Sequence, residues 1–257
     1  MRNIDPNTPF AGAFAAPGLS RGPSLTARAG VAALGVGLPL LVVALAVGER
    51  APMAAVAVLG LYVAIAGIAV ARIAAFHPFP IVGLPNLVTL VRAGLVCLLA
   101  APVLEPALFH VGSGFGAGLV LAVALIALAL DGVDGWAARR LNLSSRFGAR
   151  FDMEVDALFV LLLAALAARA GEAGPWVLAL GLIRYAFLAA SVAVPAMTRP
   201  LPPSFRRKAV CVLQVVALIA VLLPFAGAWI AALALAALVW SFALDTLWLL
   251  RPATPAR

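Results

Sequence analysis

Negative charge is what this chain has least of. Only 10 of its 257 residues are Asp or Glu, and charged residues of both signs reach just 11%, too few to clothe a soluble domain of this size. Cysteine is nearly absent: Cys97 and Cys211 both fall inside apolar stretches, which excludes a disulfide framework and argues against redox chemistry. The two histidines, His77 and His110, stand alone in loops with no Cys or carboxylate at metal-ligand spacing, so they are read as interfacial residues rather than zinc ligands. Period-two alternation is missing as well. That excludes a β-barrel, the one alternative to helices that satisfies its own backbone in lipid.

Hydrophobic residues are what is abundant, at 65% of the chain, with a mean hydropathy of +1.13. Apolar runs of about 20 residues, each long enough to cross a bilayer as a helix, recur along nearly the whole length. They are expected at 30–48, 53–75, 84–104, 115–137, 150–170, 175–196, 208–226 and 228–250, separated by short Pro-, Gly- or charge-marked loops. The expected fold class is all-α, a polytopic transmembrane helix bundle with about eight spans. Residues 1–29, rich in Pro, Gly and Ala, are expected to form a cytoplasmic tail.

A net charge of +8 and a pI near 11.2 could suggest nucleic acid, but the basic residues are dispersed by loop instead of gathered on one face. Membrane topology accounts for them better. With the N-terminus inside, only Arg50 and Arg169 fall on the outer side, Arg92 and Arg184 lie within spans, and the other Lys and Arg are cytoplasmic. Both termini are then expected in the cytoplasm, in a bacterial inner membrane, and no nucleic-acid partner is expected.

Half of the scarce acid sits in one stretch, DGVDGWAARRLNLSSRFGARFDMEVD, which runs from Asp131 to Asp156 at the cytoplasmic ends of two spans. Residues three and four apart share a helix face. Asp131 and Asp134 therefore converge, with Gly135, Ala138 and Arg139 following, and Gly148, Asp152 and Asp156 form a second stripe one hairpin later. Glu154 is out of phase with that stripe, and Arg150 four residues earlier is its expected partner. Four unpaired carboxylates in a low-dielectric site would repel and protonate, whereas divalent cations would hold them ionised. Oxygen-only ligands favour Mg²⁺ or Mn²⁺. Such ions most often serve a phosphate substrate, and Arg139 supplies a planar cation for its oxygens.

The spacing D-x2-D-G-x2-A-R-x8-G-x3-D-x3-D, filled by Asp131, Asp134, Gly135, Ala138, Arg139, Gly148, Asp152 and Asp156, resembles the signature of the CDP-alcohol phosphotransferases. The resemblance implies a six-helix core in which an acceptor alcohol displaces CMP from a CDP-linked donor, usually CDP-diacylglycerol, in phospholipid synthesis at the cytoplasmic membrane face. It implies metal ligation by Asp131, Asp134, Asp152 and Asp156 around Mg²⁺ or Mn²⁺, expected as two ions, with Asp156 also the catalytic base. Gly135, Ala138, Arg139 and Gly148 would line the CDP pocket. A homodimer is implied too.

Upstream, LPNLVTLVR places Asn86, Thr89 and Arg92 at intervals of three, similar to an N-x2-T-x2-R element of the same family, so Asn86 and Thr89 are expected CDP contacts. A plain helix cap at Asn86 is the competing reading. Arg92, a charge inside a span, needs a partner. The domain organisation expected is a core over 76–251, two additional spans over 30–75 that either pack and shield or shape a lipid entrance, and a C-terminal tail over 252–257. Acceptor contacts are sought among Arg150, Arg184, Arg206, Arg207 and Lys208. Arg184 could equally form a structural ion pair, and the last three serve topology and anionic lipid as well. Convergence of several cations would suit a phosphorylated acceptor, a small polar alcohol in any case. Asp245 finds no role. Two other classes hold metal with aspartates: membrane prenyltransferases, whose motifs sit farther apart, and divalent-cation transporters.

Overall fold

Ser24 opens the first helix, its Oγ accepting the Ala27 amide at 3.2 Å. Helix α1 spans Leu25–Gly48 and α2 spans Pro52–Phe76, the latter starting on a proline whose missing N–H costs nothing in the first turn. The Tyr62 hydroxyl donates to the Ala33 carbonyl at 2.7 Å and pins this pair together. The computed structural model describes residues 24–108, 115–199, 201–202, 204–223 and 225–250. Most of the N-terminal tail, His110 and the C-terminal residues from Arg251 onward lie outside the described residues.

The remaining elements are α3 (Leu84–Leu98), α4 (Ala100–Leu104), α5 (Phe115–Arg140), α6 (Arg146–Arg169), α7 (Ala179–Ala193), α8 (Phe205–Val221) and α9 (Trp229–Leu250). Among the described residues there is no strand. Helix α4 continues the path of α3, so eight long segments build the bundle expected from the apolar runs. Helix α6 is its axis, packing on α2, α3, α4, α7 and α8. Leu163, Ala164, Leu166 and Ala167 in its second half are fully buried, and the two alanines keep side-chain bulk low where neighbours crowd in. Outward-facing Leu38, Val42 and Leu45 on α1, Leu125 and Ile126 on α5, and Leu233 on α9 are apolar and exposed, as hydrocarbon solvent requires.

Among the described residues, six segments are long and apolar enough to cross a membrane: Leu25–Gly48, Pro52–Phe76, Leu84–Leu104, Gly116–Arg140, Pro175–Ala193 and Trp229–Leu250. The two other expected spans differ for identifiable reasons. Helix α6 carries Arg146, Arg150, Asp152, Glu154 and Asp156 in its first half, and α8 has only 17 residues and opens on Phe-Arg-Arg-Lys. Both are core helices whose polar ends build the site.

The α5–α6 link is tightly specified. Asn142 takes a left-handed backbone, φ 53°, the Leu143 amide reaches back to the Ala138 carbonyl at 3.1 Å, and the Leu141 amide bonds Ala137 O at 2.9 Å. This is a Schellman-type stop, with asparagine in the position where few other side chains are comfortable. Ser145 then caps α6, its Oγ accepting the Gly148 amide at 2.9 Å.

Candidate active site

Helix α3 packs against both α5 and α6, and from it Arg92, fully buried, reaches all four signature carboxylates. Its Nη1 donates to Asp131 and, at 3.4 Å, to Asp134. Its Nη2 donates to Asp152 Oδ1 and Asp156 Oδ1, both at 2.7 Å, and lies 3.3 Å from the Asp152 carbonyl. The two aspartate stripes face each other across the hairpin, and a guanidinium from a third helix stands between them. Planarity explains why arginine suits the position, since one fork edge serves each stripe.

The four aspartates are not equivalent. Asp134 is the buried one, with 5% of its side chain exposed against 37%, 36% and 30% for Asp131, Asp152 and Asp156. Its Oδ2 is 3.0 Å from the Thr89 hydroxyl, which stands equally close to the Pro85 carbonyl and can donate its one proton to either. The other three can each offer a carboxylate oxygen so that all lie within 4.8 Å of one another. That separation suits a shared hard cation. Four carboxylates around one guanidinium leave a net charge of about −3, far from balance in a low-dielectric setting. The donor set is all oxygen. The residues therefore fit a divalent metal.

Beside the aspartates lies a cavity of about 190 Å³, lined by all six expected CDP contacts, Asn86, Thr89, Gly135, Ala138, Arg139 and Gly148, together with Asp134, Ser144, Ser145 and Asp152. Asn86 caps nothing through its oxygen; its Nδ2 donates to Val82 O at 2.6 Å, which leaves Oδ1 directed at α6. A Cβ on Gly148 would stand 2.8 Å from that Oδ1 and 3.2 Å from Ser145 Oγ, so any side chain there would displace the Asn86 amide where α3 packs on α6. Over Gly135 the Arg139 guanidinium folds to 3.3 Å from where a Cβ would be. Arg139 has no ion-pair partner among the described residues.

A second cavity of about 420 Å³ opens between α6, α7, α8 and α9. Of the five acceptor candidates, Arg150, Arg184 and Arg207 line it, whereas Arg206 and the exposed Lys208 do not. Glu154 holds two of these arginines, Arg150 at 3.0 Å and Arg184 at 3.2 Å. Asp245 holds Arg206 at 2.5 Å and Arg207 at 3.1 Å, which gives this acid the role that its sequence position did not. Arg206 is fastened further by the Ser241 carbonyl at 2.6 Å and by the face of Trp240, 5.6 Å from the ring centroid. Gln214 also lines the cavity, and its buried Oε1 has no hydrogen-bond partner among the described residues. Nothing in the sequence flagged Gln214, although it falls seven residues after Arg207 on the same face of α8.

His77, the loop residue that follows α2, is buried, and both its ring nitrogens are engaged, Nε2 with Ile81 O and Nδ1 with Ser145 Oγ.

The described residues thus form an all-helical bundle with membrane-length apolar segments and an aspartate cluster that could hold a metal ion beside a cavity edged by Arg139. The family model described as CDP-alcohol phosphatidyltransferase matches residues 82–240, and the chain belongs to that family. Comparison with curated proteins and with solved structures gave no match. Membership makes the chain a transferase of the membrane, one that moves a phosphoalcohol from a CDP-alcohol to an alcohol, and with six apolar helices it is an integral membrane protein.

Proposed function

We propose that the protein transfers a phosphatidyl group from CDP-diacylglycerol to a small phosphorylated alcohol and releases CMP. The observation that carries this reading is the convergence of Asp131, Asp152 and Asp156 within 4.8 Å next to the cavity containing Asn86, Thr89 and Arg139. The acceptor hydroxyl oxygen attacks the lipid-bearing phosphorus; the phosphorus–oxygen bond to CMP breaks, and the hydroxyl proton passes to Asp156. Asp156 lies 2.7 Å from Arg92, which keeps its carboxylate aimed at the site. Arg139 binds pyrophosphate oxygens, and Gly135, Ala138 and Gly148 give the nucleotide close access to the backbone. Asp131, Asp152 and Asp156, with Asp134 behind them, would hold Mg²⁺ or Mn²⁺, whose charge would offset that of the pyrophosphate and the departing phosphate.

The second cavity is the acceptor site. Arg150 and Arg184 share one glutamate, and Arg206 and Arg207 share one aspartate, so each cluster keeps one surplus positive charge. Together they match a phosphomonoester of about −1.5 to −2. Arg150 and Met153 of α6 line this cavity, in the same turn region of the helix as Asp152. The unpartnered Gln214 Oε1 would accept from a hydroxyl of the acceptor. In this reading the 76–251 core works at the cytoplasmic face of a bacterial inner membrane with both termini inside, since Arg139, Arg140, Arg146, Arg206, Arg207 and Lys208 cluster at the site's end of the bundle.

Purified protein in mixed micelles, supplied with Mg²⁺ or Mn²⁺, CDP-diacylglycerol or a soluble CDP-alcohol, and pooled alcohols with and without phosphate, should release CMP only when a donor and an acceptor are both present. No CMP release with any donor, or cation flux in vesicles without turnover, would overturn the proposal.

A further inference from the structure

We infer that the two helices preceding the matched family region brace the α6 wall of the nucleotide pocket, and that they do so through His77, a positioning residue for the start of α6. His77 closes α2, and its ring sits edge-on to Phe79 and Phe147, with centroids 5.3 and 6.0 Å away. Nε2 lies 2.9 Å from the Ile81 carbonyl and Nδ1 lies 3.0 Å from Ser145 Oγ. A carbonyl can only accept, so Nε2 carries the proton; in the neutral ring Nδ1 is then an acceptor and the Ser145 hydroxyl donates to it.

That assignment orients Ser145. With its proton committed to His77, the hydroxyl turns a lone pair to the Gly148 amide, which it receives at 2.9 Å. Ser145 and Gly148 are both walls of the nucleotide cavity, and Gly148 lies directly under Asn86 Oδ1. One directed chain thus links Gly148 N–H, Ser145, His77 and Ile81 O, and it begins on the turn that carries the CDP contact and ends on the α2–α3 connection. Phe147, stacked on Phe151 with centroids 5.9 Å apart, packs in the same cluster as Ala29 and Ile73 of the first two helices. These helices hold the α6 terminus by packing, and His77 sets its register.

The inference rests on the nucleotide pocket proposed above, so its test combines a readout that needs no turnover with one that does. His77→Phe keeps the ring and removes both hydrogen bonds. His77→Asn places an amide oxygen where Nδ1 stands, and His77→Gln reaches toward Ile81 but leaves Ser145 without its acceptor. Hydrogen exchange over residues 144–150 and donor KM against kcat are measured on the full chain in detergent. The Phe and Gln variants should speed exchange in the first turn of α6 and raise donor KM about ten-fold, as loss of an outer partner of a site typically does, with kcat nearly unchanged. The Asn variant should resemble wild type in both. Wild-type behaviour of the Phe and Gln variants, or an Asn variant as impaired as Gln, would overturn the role of His77; should His77→Phe fail to fold, the Asn and Gln pair decides alone. Failure of the proposed transfer reaction would appear separately, as wild type releasing no CMP while the exchange data still report on His77.

Discussion

Arg92 Nη2 stands 2.7 Å from Asp156 Oδ1 and, with the same nitrogen, 2.7 Å from Asp152 Oδ1. The two carboxylates are one helical turn apart, so a single fork edge from α3 holds both in place. The other edge does the same for Asp131 and Asp134. Arg92 is a resident cation in a ring that still has charge to spare for others.

Removing that cation should make the fold depend on divalent metal. Arg92→Met is expected to lower stability by about 3–5 kcal/mol in chelator, the usual cost of stranding buried charge. Mg²⁺ or Mn²⁺ should then raise the melting temperature of the variant by more than it raises that of wild type. Thermal melts with and without metal check this, and an equal increment in both proteins would refute the charge-balance account.

Asp156→Asn should abolish CMP release while costing CDP-donor binding far less, because Asp156 does not line the nucleotide cavity and Asp131 and Asp152 remain to hold the metal. Turnover assays paired with equilibrium binding of the donor separate the two properties. Parallel loss of both would remove Asp156 from the role of base.

Gly148→Ala and Gly132→Ala form a matched pair. At Gly148 the new methyl would press on Asn86 Oδ1 at 2.8 Å, whereas at Gly132 nothing lies within 4 Å. Gly148→Ala should weaken nucleotide binding by ten-fold or more, on the order of 1.4 kcal/mol. Gly132→Ala should stabilise α5 by up to about 1 kcal/mol from helix propensity and leave donor KM alone. Nucleotide titrations and thermal melts on both variants are the check.

Gln214→Leu should raise the KM for a hydroxylated acceptor by about ten-fold, one hydrogen bond's worth, with donor KM unchanged. An acceptor analogue lacking the contacted hydroxyl should bind wild type and variant alike. Steady-state kinetics with both acceptors test the pair.

The bundle was legible because apolar runs of membrane length are a one-dimensional signal: α1, α2, α3 with α4, α5 and α9 fall where hydropathy puts them. Helical phase brought Asp131 to Asp134 and Asp152 to Asp156, and the same phase separated Glu154, which turns to Arg150 and Arg184 instead. What the sequence could not supply was partnership between helices. Arg92 advertised a need for counter-charge without saying that all four aspartates meet it, since those contacts span 39 to 64 positions. Asp245 and Arg206, 39 apart, were opaque for the same reason. The contact of His77 with Ser145 was hidden likewise, since it spans 68 positions.

The left-handed Asn142 and the cap at Ser145 make the α5–α6 link a ruler. Each residue added within α6 between Ser145 and Asp152 would turn the second carboxylate pair by about 100° and carry it out of phase with the first. Variation in chain length should therefore be tolerated in the outer connections and forbidden in this one, and a deletion series through residues 141–151 would map the boundary.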